Sequence, residues 1–414
     1  MAGFRMDNVE GLSCVICAFE TKDLWQWTCP NCRGNARMDV RYVSGAEESL
    51  GRALRNGTER PSGIWRYREV LPMPIGAKLP PVMVGGSPVC ESESLASWLG
   101  VARVVVKDDG RNPSASLKDR ASAVGVVLAV ASGKERIVCA STGNAASSTA
   151  CLAASMGLPT TIFVPRRAPA PKIAQLRIFG AEVFRVNADY DRTWDLCAEV
   201  AATKPWFNRN CAVNPFLVEG KKTVTLELAE QLGSSMPDWV AISVGDGCTV
   251  AGVVKGLEQA KKAGFIPFVP RVLAVQAEGA APLVHAVEQS RPFRPEPAES
   301  VADSISVGTP RNPDKALQAV ARCGGHWEAV SDESILEALV EVPRRSGVFG
   351  EPAGVAAAAG VRAAVRRGVI GATQSVALIV SGNGLKDTAT ALSVVEGPVD
   401  VEPTVESVTA SLTH

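Results

Sequence analysis

The chain has 414 residues, with 43 basic and 43 acidic side chains, so its formal net charge is zero. That balance gives no electrostatic case for a nucleic acid or an anionic membrane as the main partner. Apolar residues make up 46% and aromatics 5%, which excludes a disordered chain and favours close-packed helices on buried sheets. A length like this predicts two to three domains. The longest apolar run, Ala123 to Ala131, falls short of the ~18 residues of a membrane span. Arg5, Asp7 and Glu10 interrupt the start of the chain, so no secretory signal is expected there. Eleven cysteines are an odd number in a long chain. They argue against a disulfide framework and for a reducing, cytoplasmic setting.

In chain order, the first feature is Cys14, Cys17, Cys29 and Cys32, spaced C-x2-C-x11-C-x2-C. Two such knuckles supply four thiolates in the pattern of a structural zinc site. Gly34 fits the tight turn after the second knuckle, and Ala18 is less typical after the first. The intervening residues have little core of their own, so metal would supply their folding energy. From Ser44 to Pro81 the composition turns to Arg, Glu, Gly and Pro, which reads as a linker. Beyond it, short β-branched runs alternate with helical patterns. Strands are expected at 101–107, 136–140, 160–164, 181–186, 239–244, 271–277 and 375–380. Helices are expected at 117–131, 171–179, 223–232 and 249–263. The alternation predicts parallel sheets covered by helices on both faces. Ligands in such folds gather at the carboxyl ends of the strands. Residues 289–313 read as a long surface loop, and the tail from Gly397 as a loosely attached terminal segment.

Four motifs fall at strand ends. In NPSASLKDR (Asn112 to Arg120), Ser114 or Ser116 can cap the following helix. Lys118 then sits in the first turn, where a cation opposes the positive helix end. Such a lysine is either an ordinary solvated charge or a nucleophile that forms a Schiff base. ASTGNAASS (Ala140 to Ser148) offers bare amides and hydroxyls at a helix start, a nest for a carboxylate or a plain capped turn. SVGDGCTVAG (Ser243 to Gly252) lets backbone amides approach a phosphate. It is neither a Walker loop nor a full dinucleotide fingerprint. Asp246 would repel a phosphate unless its carboxylate pointed away. VSGNGLKD (Val380 to Asp387) places the neutral hydroxyl of Ser381 after the last strand.

Taken in this order, and with GIWRYREVLP (63–72), GGSPV (85–89), NPFLVEGKKT (214–223) and GEPAGVAAA (350–358), the motifs resemble the threonine synthase family of fold-type II pyridoxal-phosphate (PLP) enzymes. The resemblance runs from Cys14 to about Asp387. It implies a tryptophan-synthase-β-like α/β fold of two domains with twisted, mostly parallel sheets. The zinc-ribbon-like segment would occupy 1–44, the large cofactor domain 45–116 and 217–414, and a smaller mobile domain 117–216. It also implies that Lys118 carries PLP as a Schiff base and that Asn144 bonds the cofactor's 3′-oxygen. Gly245, Asp246, Gly247, Cys248 and Thr249 would wrap its phosphate, and Ser381 would face the pyridine nitrogen. Ser141, Thr142, Gly143 and Ala145 would hold the substrate carboxylate. The implied activity is a PLP-dependent lyase acting by β/γ-elimination or replacement on a small amino acid with a leaving group, such as O-phosphohomoserine converted to threonine. A homodimer is the expected assembly.

The sequence departs from the family at one corner. The usual Asn-Ser-x-Asn-Pro-x-Arg, which helps bind the substrate phosphate, reads Cys211, Ala212, Asn214, Pro215 and Leu217 here. Either Lys221, Arg166 or Arg167 compensates, or the substrate differs. The readings that stay open are a cysteate-synthase-like β-replacement on O-phosphoserine, an amino-acid dehydratase or ammonia-lyase, and, from a different class, an inactive binding protein that keeps the fold.

Overall fold

The computed structural model describes residues 4–32, 37–168, 170–211 and 213–412. Gly34 and Ala212 lie outside the described residues.

The cysteine segment builds a small antiparallel sheet of β1 (Val9–Cys14), β2 (Glu20–Thr21) and β3 (Met38–Tyr42), ordered β2-β1-β3. Sequence reading found no strands here because each is short and cut by the knuckles. Leu12, Cys14, Met38 and Val40 turn inward, as the two-residue period of a strand demands. The sheet is docked, not tethered. Lys255 Nζ donates to Asp39 Oδ2 at 3.1 Å and to the Val40 carbonyl at 2.9 Å, and Tyr42 Oη donates to Glu219 Oε2 at 2.7 Å. Trp25 and Trp27 stack edge-on against Phe207, with centroids at 6.4 and 5.8 Å.

The stretch expected as a linker is instead part of the core. It forms the helix Ala46–Arg55 and a 3-10 helix Gly63–Val70, and Leu50, Ile64, Tyr67, Val70 and Leu71 are fully buried. Several of its charges are paired. Arg60 meets Glu69 at 2.7 Å, Arg66 meets Glu230 at 2.5 Å, and Tyr67 Oη donates to Glu230 at 2.6 Å.

Ten further strands follow. They are β4 (Val89–Glu91), β5 (Arg103–Asp108), β6 (Arg136–Ala140), β7 (Thr160–Pro165), β8 (Glu182–Val186), β9 (Trp206–Asn208), β10 (Trp239–Ser243), β11 (Arg271–Ala277), β12 (His326–Val330) and β13 (Ser375–Val380). A six-stranded sheet runs β12-β11-β10-β13-β5-β4, and a four-stranded sheet runs β8-β7-β6-β9. All neighbours are parallel except β4, which pairs antiparallel with β5. Six of the seven strands read from the sequence are largely buried, whereas the seventh, β8 at the edge of its sheet, is mostly exposed. β4, β9 and β12 went unread, the first two being three residues long. In β12 a buried Glu328, paired with Arg367 at 2.9 Å, breaks the apolar pattern.

Three helices stack in sequence, Lys118–Ala131 on Phe216–Leu232 and that on Cys248–Lys262. The middle one begins at Phe216, not at Thr223 as expected. Gly220 is the crossing point, where a Cβ would lie 2.1 Å from the Arg120 carbonyl oxygen. Such close approach lets two helix backbones pack directly. Residues 289–313 are largely irregular, as expected. The tail carries a short exposed helix, Val405–Ser411.

Candidate active site

The carboxyl ends of β5, β6, β10 and β13 open on one cavity of about 740 Å³. Its walls include Lys118, the Ser141–Ala145 turn, the Gly245–Thr249 loop, Glu351 and Ser381. Every cofactor and substrate residue expected from the sequence is therefore brought to the same space.

Lys118 opens its helix at the end of the β5 loop. Neither Ser114 nor Ser116 caps that helix, contrary to expectation. The N-cap is Leu117, without a side-chain cap. Ser114 serves Asp119 instead, donating its backbone N–H at 2.7 Å and its hydroxyl to that carboxylate. Burial pushes the Asp119 carboxyl up to about 6 against these bonds. The loop is strapped to the end of β13: Leu117 N–H donates to the Ser381 carbonyl at 2.8 Å, and Ser116 forms a bridge with Gly382. That strap is why Lys118 and Ser381 meet. Ala115 holds a left-handed backbone, φ 65°, a strained conformation for a residue with a Cβ. Lys118 itself is half-buried. Loss of hydration lowers its ammonium to about 8, and the Lys221 charge adds to the effect.

Behind the lysine lies a charge cluster that the sequence did not announce. Arg120 is fully buried and meets Asp109 at 2.6 Å and Glu227 at 3.2 Å. Glu227 also accepts the Gly86 and Ser87 N–H groups at 2.7 and 2.8 Å and pairs with Lys107. Thus GGSP, NPSASLKDR and the Phe216 helix are joined at one carboxylate. Burial would raise the Glu227 carboxyl, but the Arg120 and Lys107 charges outweigh it and hold it at about 2.

The glycine loop after β10 ends on the helix Cys248–Lys262. Its N-cap, Gly247, has φ 88° and no side chain to cap the first turn. An uncapped helix start with bare amides on a cavity wall suits a phosphate. Asp246 turns its carboxylate to the Arg311 N–H at 3.2 Å, so it behaves as expected and leaves the amides clear. The turn after β6 is built alike: Gly143 is the N-cap of Asn144–Ser155 and has no side-chain cap. Glu351 is the N-cap of Pro352–Arg366, without a side-chain cap, and its Oε1 accepts from Asn144 Nδ2 at 2.7 Å.

The divergent corner differs most from the sequence reading. Leu217 is no wall of the cavity. It is fully buried against Gly125. Asn214 caps its own turn, accepting the Phe216 N–H at 3.1 Å. The cavity wall there is Arg209, Cys211 and Lys221. Arg209 and Lys221 are 2% and 3% exposed. Arg209 binds Ser122 Oγ at 3.0 Å and Cys211 Sγ at 3.5 Å. No carboxylate among the described residues forms an ion pair with either cation. A hydrogen bond from the Cys248 thiol, with the Lys221 and Arg209 charges, holds Cys211 well below the ordinary thiol range. Arg167 also lines the cavity. Sequence reasoning missed Arg209, which lies two residues before the family motif, and missed residues 303–309, which line the cavity from an aperiodic loop.

At the amino end, the sulfurs of Cys14, Cys17, Cys29 and Cys32 lie within 4.8 Å of one another. Four convergent thiols are the donor set of a closed structural zinc site. The first knuckle turns on Ala18 at φ 56°.

The profile of the family described as pyridoxal-phosphate dependent enzyme matches residues 82–382. Solved structures with the same fold include the processed form of threonine deaminase isoform 2 from Solanum lycopersicum. It has a TM-score of 0.63 and 21% identity, over 74% of this chain and 86% of that one. Maize serine racemase gives 0.63 and 21% over 74% and 91%. Fold and lysine-bearing cavity thus define a fold-type II PLP-dependent enzyme. The threonine synthase of Methanosarcina acetivorans is 34% identical over 96% of this chain and 97% of its own length. That of Methanocaldococcus jannaschii is 34% identical over 94% and 96%, and that of Mycobacterium bovis 36% over 83% and 94%. The chain belongs to the threonine synthase family. No helix among the described residues is long and apolar enough to cross a membrane.

Proposed function

We propose that the protein eliminates phosphate from a small amino acid and adds water in its place, with O-phosphohomoserine and water converted to threonine and phosphate as the reaction its site supports best. The observation that carries this reading is the pair of buried cations, Arg209 and Lys221, on the cavity wall without a carboxylate partner among the described residues. Cys211, held toward its thiolate by the Cys248 hydrogen bond and these two charges, offsets one of them; the second stays costly unless a further anion completes it. The family's arginine is absent from this corner, yet the corner is more cationic than the sequence suggested.

The residues present fit PLP. Lys118 offers an amine that is readily deprotonated, the uncapped Cys248 helix offers amides for the phosphate, Asn144 a polar contact for the 3′-oxygen, and Ser381 a neutral hydroxyl for the ring nitrogen. When bound, PLP delocalises negative charge left at the substrate α-carbon. Lys118 Nζ takes the proton from that carbon and delivers protons further along the chain. Ser141, Thr142, Gly143 and Ala145 orient the substrate carboxylate at the start of the Asn144 helix. Residues 117–216 act as the smaller domain whose closure excludes bulk water while admitting the one water the reaction consumes. All strands of the four-stranded sheet come from within that span. Residues 1–44 form the zinc-binding segment, and 45–116 with 217–414 the large domain. A cytoplasmic homodimer is the assembly we assign.

A panel of O-phosphohomoserine, O-phosphoserine, threonine and serine tests the reading, scored for released phosphate and ammonia. Phosphate release from O-phosphohomoserine is expected. Arg209→Met and Lys221→Met should each raise its KM by roughly 10–100-fold, the scale of a lost charged contact. Lys118→Ala should cut turnover by about 10²–10⁴-fold or more. Ammonia from serine or threonine, with no phosphate from either ester, would sink the proposal.

A further inference from the structure

Asn144 and Ser381 approach the cavity from different parts of the fold. Asn144 starts a helix beside the four-stranded sheet, and Ser381 ends β13 of the six-stranded one. One side chain touches both places. Glu351 Oε1 accepts the Asn144 Nδ2 hydrogen bond at 2.7 Å. Its backbone N–H donates to the Gly382 carbonyl at 3.0 Å, and a Cβ on Gly382 would lie 2.3 Å from the same Oε1. Gly382 directly follows Ser381. Glu351 and Asn144 are 6% and 8% exposed, so this bond is made away from bulk water.

We propose that Glu351 is a positioning residue for the cofactor: its carboxylate clamps the Asn144 amide against the Ser381–Gly382 strand end and fixes the spacing of the two walls that face the ring. This rests on the PLP reading above. A carboxylate only accepts hydrogen bonds. It therefore sets which end of the Asn144 amide turns toward it, and an unclamped amide would be free to flip. The charged groups facing Glu351 are Lys386, Lys118 and Lys172. Lys386 Nζ in turn donates to Ser147 Oγ at 2.9 Å, on the helix that Asn144 opens. Burial raises the Glu351 carboxyl, opposed by these lysines and by the Asn144 bond.

The test compares wild type, Glu351→Ala, Glu351→Gln and Gly382→Ala. The last displaces the carboxylate without removing it. The readouts are the dissociation constant of PLP, the pH midpoint of the visible band of bound PLP, and the melting temperature of the cofactor-free protein. Glu351→Ala and Gly382→Ala should weaken PLP binding by roughly 10–100-fold and move the midpoint. Glu351→Gln keeps an acceptor for Asn144 and should stay near wild type in affinity. In an Asn144→Ala background, Glu351→Ala should add nothing. An unmoved midpoint and affinity in Glu351→Ala and Gly382→Ala overturn the role. So does a lower melting temperature with an unmoved midpoint, which marks a merely structural residue. If Glu351→Ala does not fold, Glu351→Asp decides, because it withdraws the carboxylate by one methylene; a wild-type titration overturns the role. A wild-type protein that takes up PLP while the variants match it fails only this inference, whereas one that takes up none fails the cofactor reading as well.

Discussion

With Lys118 at about 8, roughly a tenth of its amine is free base at pH 7 and most of it is above pH 8. Only the free base attacks an aldehyde. Uptake of PLP by the cofactor-free protein should therefore accelerate as pH rises through about 8 and then level off. Stopped-flow absorbance across pH 6–11 measures this, and a midpoint near the ordinary 10.5 would contradict the assigned burial. The same residue shows what was legible in the sequence. SLKDR, STGNA and the glycine loop are contiguous, so each could be read as a unit and placed at a strand end. Arg209 could not. Its neighbours carry no motif, and its meaning comes from burial and from the lack of a carboxylate partner among the described residues, which only the folded chain reveals. Leu217 was misjudged for the converse reason. A position aligned with a polar residue need not face the same space.

At the scale of elements, the cysteine segment has a few buried apolar side chains and a docking face on Phe207, Lys255 and Glu219. That core is too small to hold four thiols together without metal. Chelation, or Cys29→Ser, should open this segment locally. Hydrogen exchange of amides in 9–42 should rise by orders of magnitude while 136–140 and 271–277 keep their protection. Unchanged protection in 9–42 after complete metal removal would show that the docking face alone suffices. The buried strands were readable because β-branched runs fully inside a sheet leave an unmistakable pattern. The strap 46–70 was not. Its apolar residues are sparse and several of its charges are neutralised by partners, Glu230 far along the chain among them.

For the molecule as a whole, Glu227 is the tie between GGSP, the Lys118 loop and the Phe216 helix. The Arg120 and Lys107 charges hold its carboxyl at about 2, below the ordinary 4.5. A carboxyl depressed in this way stabilises the fold above pH 4.5, and that contribution drains as pH falls toward 2. Glu227→Gln leaves Arg120 and Lys107 buried and under-compensated, so it should cost roughly 3–5 kcal/mol at neutral pH. It should also flatten the acid limb of the stability profile between 4.5 and 2. Denaturant melts at several pH values measure both, and an acid limb unchanged in the variant would assign the cluster no share in acid stability.

The contacts that would govern closure lie between the long 289–313 loop and the helices beside the four-stranded sheet. Lys172 pairs with Asp303, and the Arg311 guanidinium stacks 4.3 Å from the Trp194 ring centroid. Asp303, Trp194 and Arg311 all line the cavity. The ion pair is largely exposed, so it is worth ~0.2–1 kcal/mol and is screened by salt. The stack is worth about 0.5–2 kcal/mol, more as water is excluded. Contacts this weak suit a device that must release product on every turnover. Stronger ones would trap it. Asp303→Asn should therefore raise KM less than about fivefold and reduce its dependence on ionic strength. Arg311→Ala should do more, and the two together should let bulk water release the unsaturated amino acid before the productive water adds, seen as more 2-oxo acid and ammonia per threonine formed. Wild-type partitioning in the double variant would mean that closure is carried by the backbone of the loop, not by these side chains.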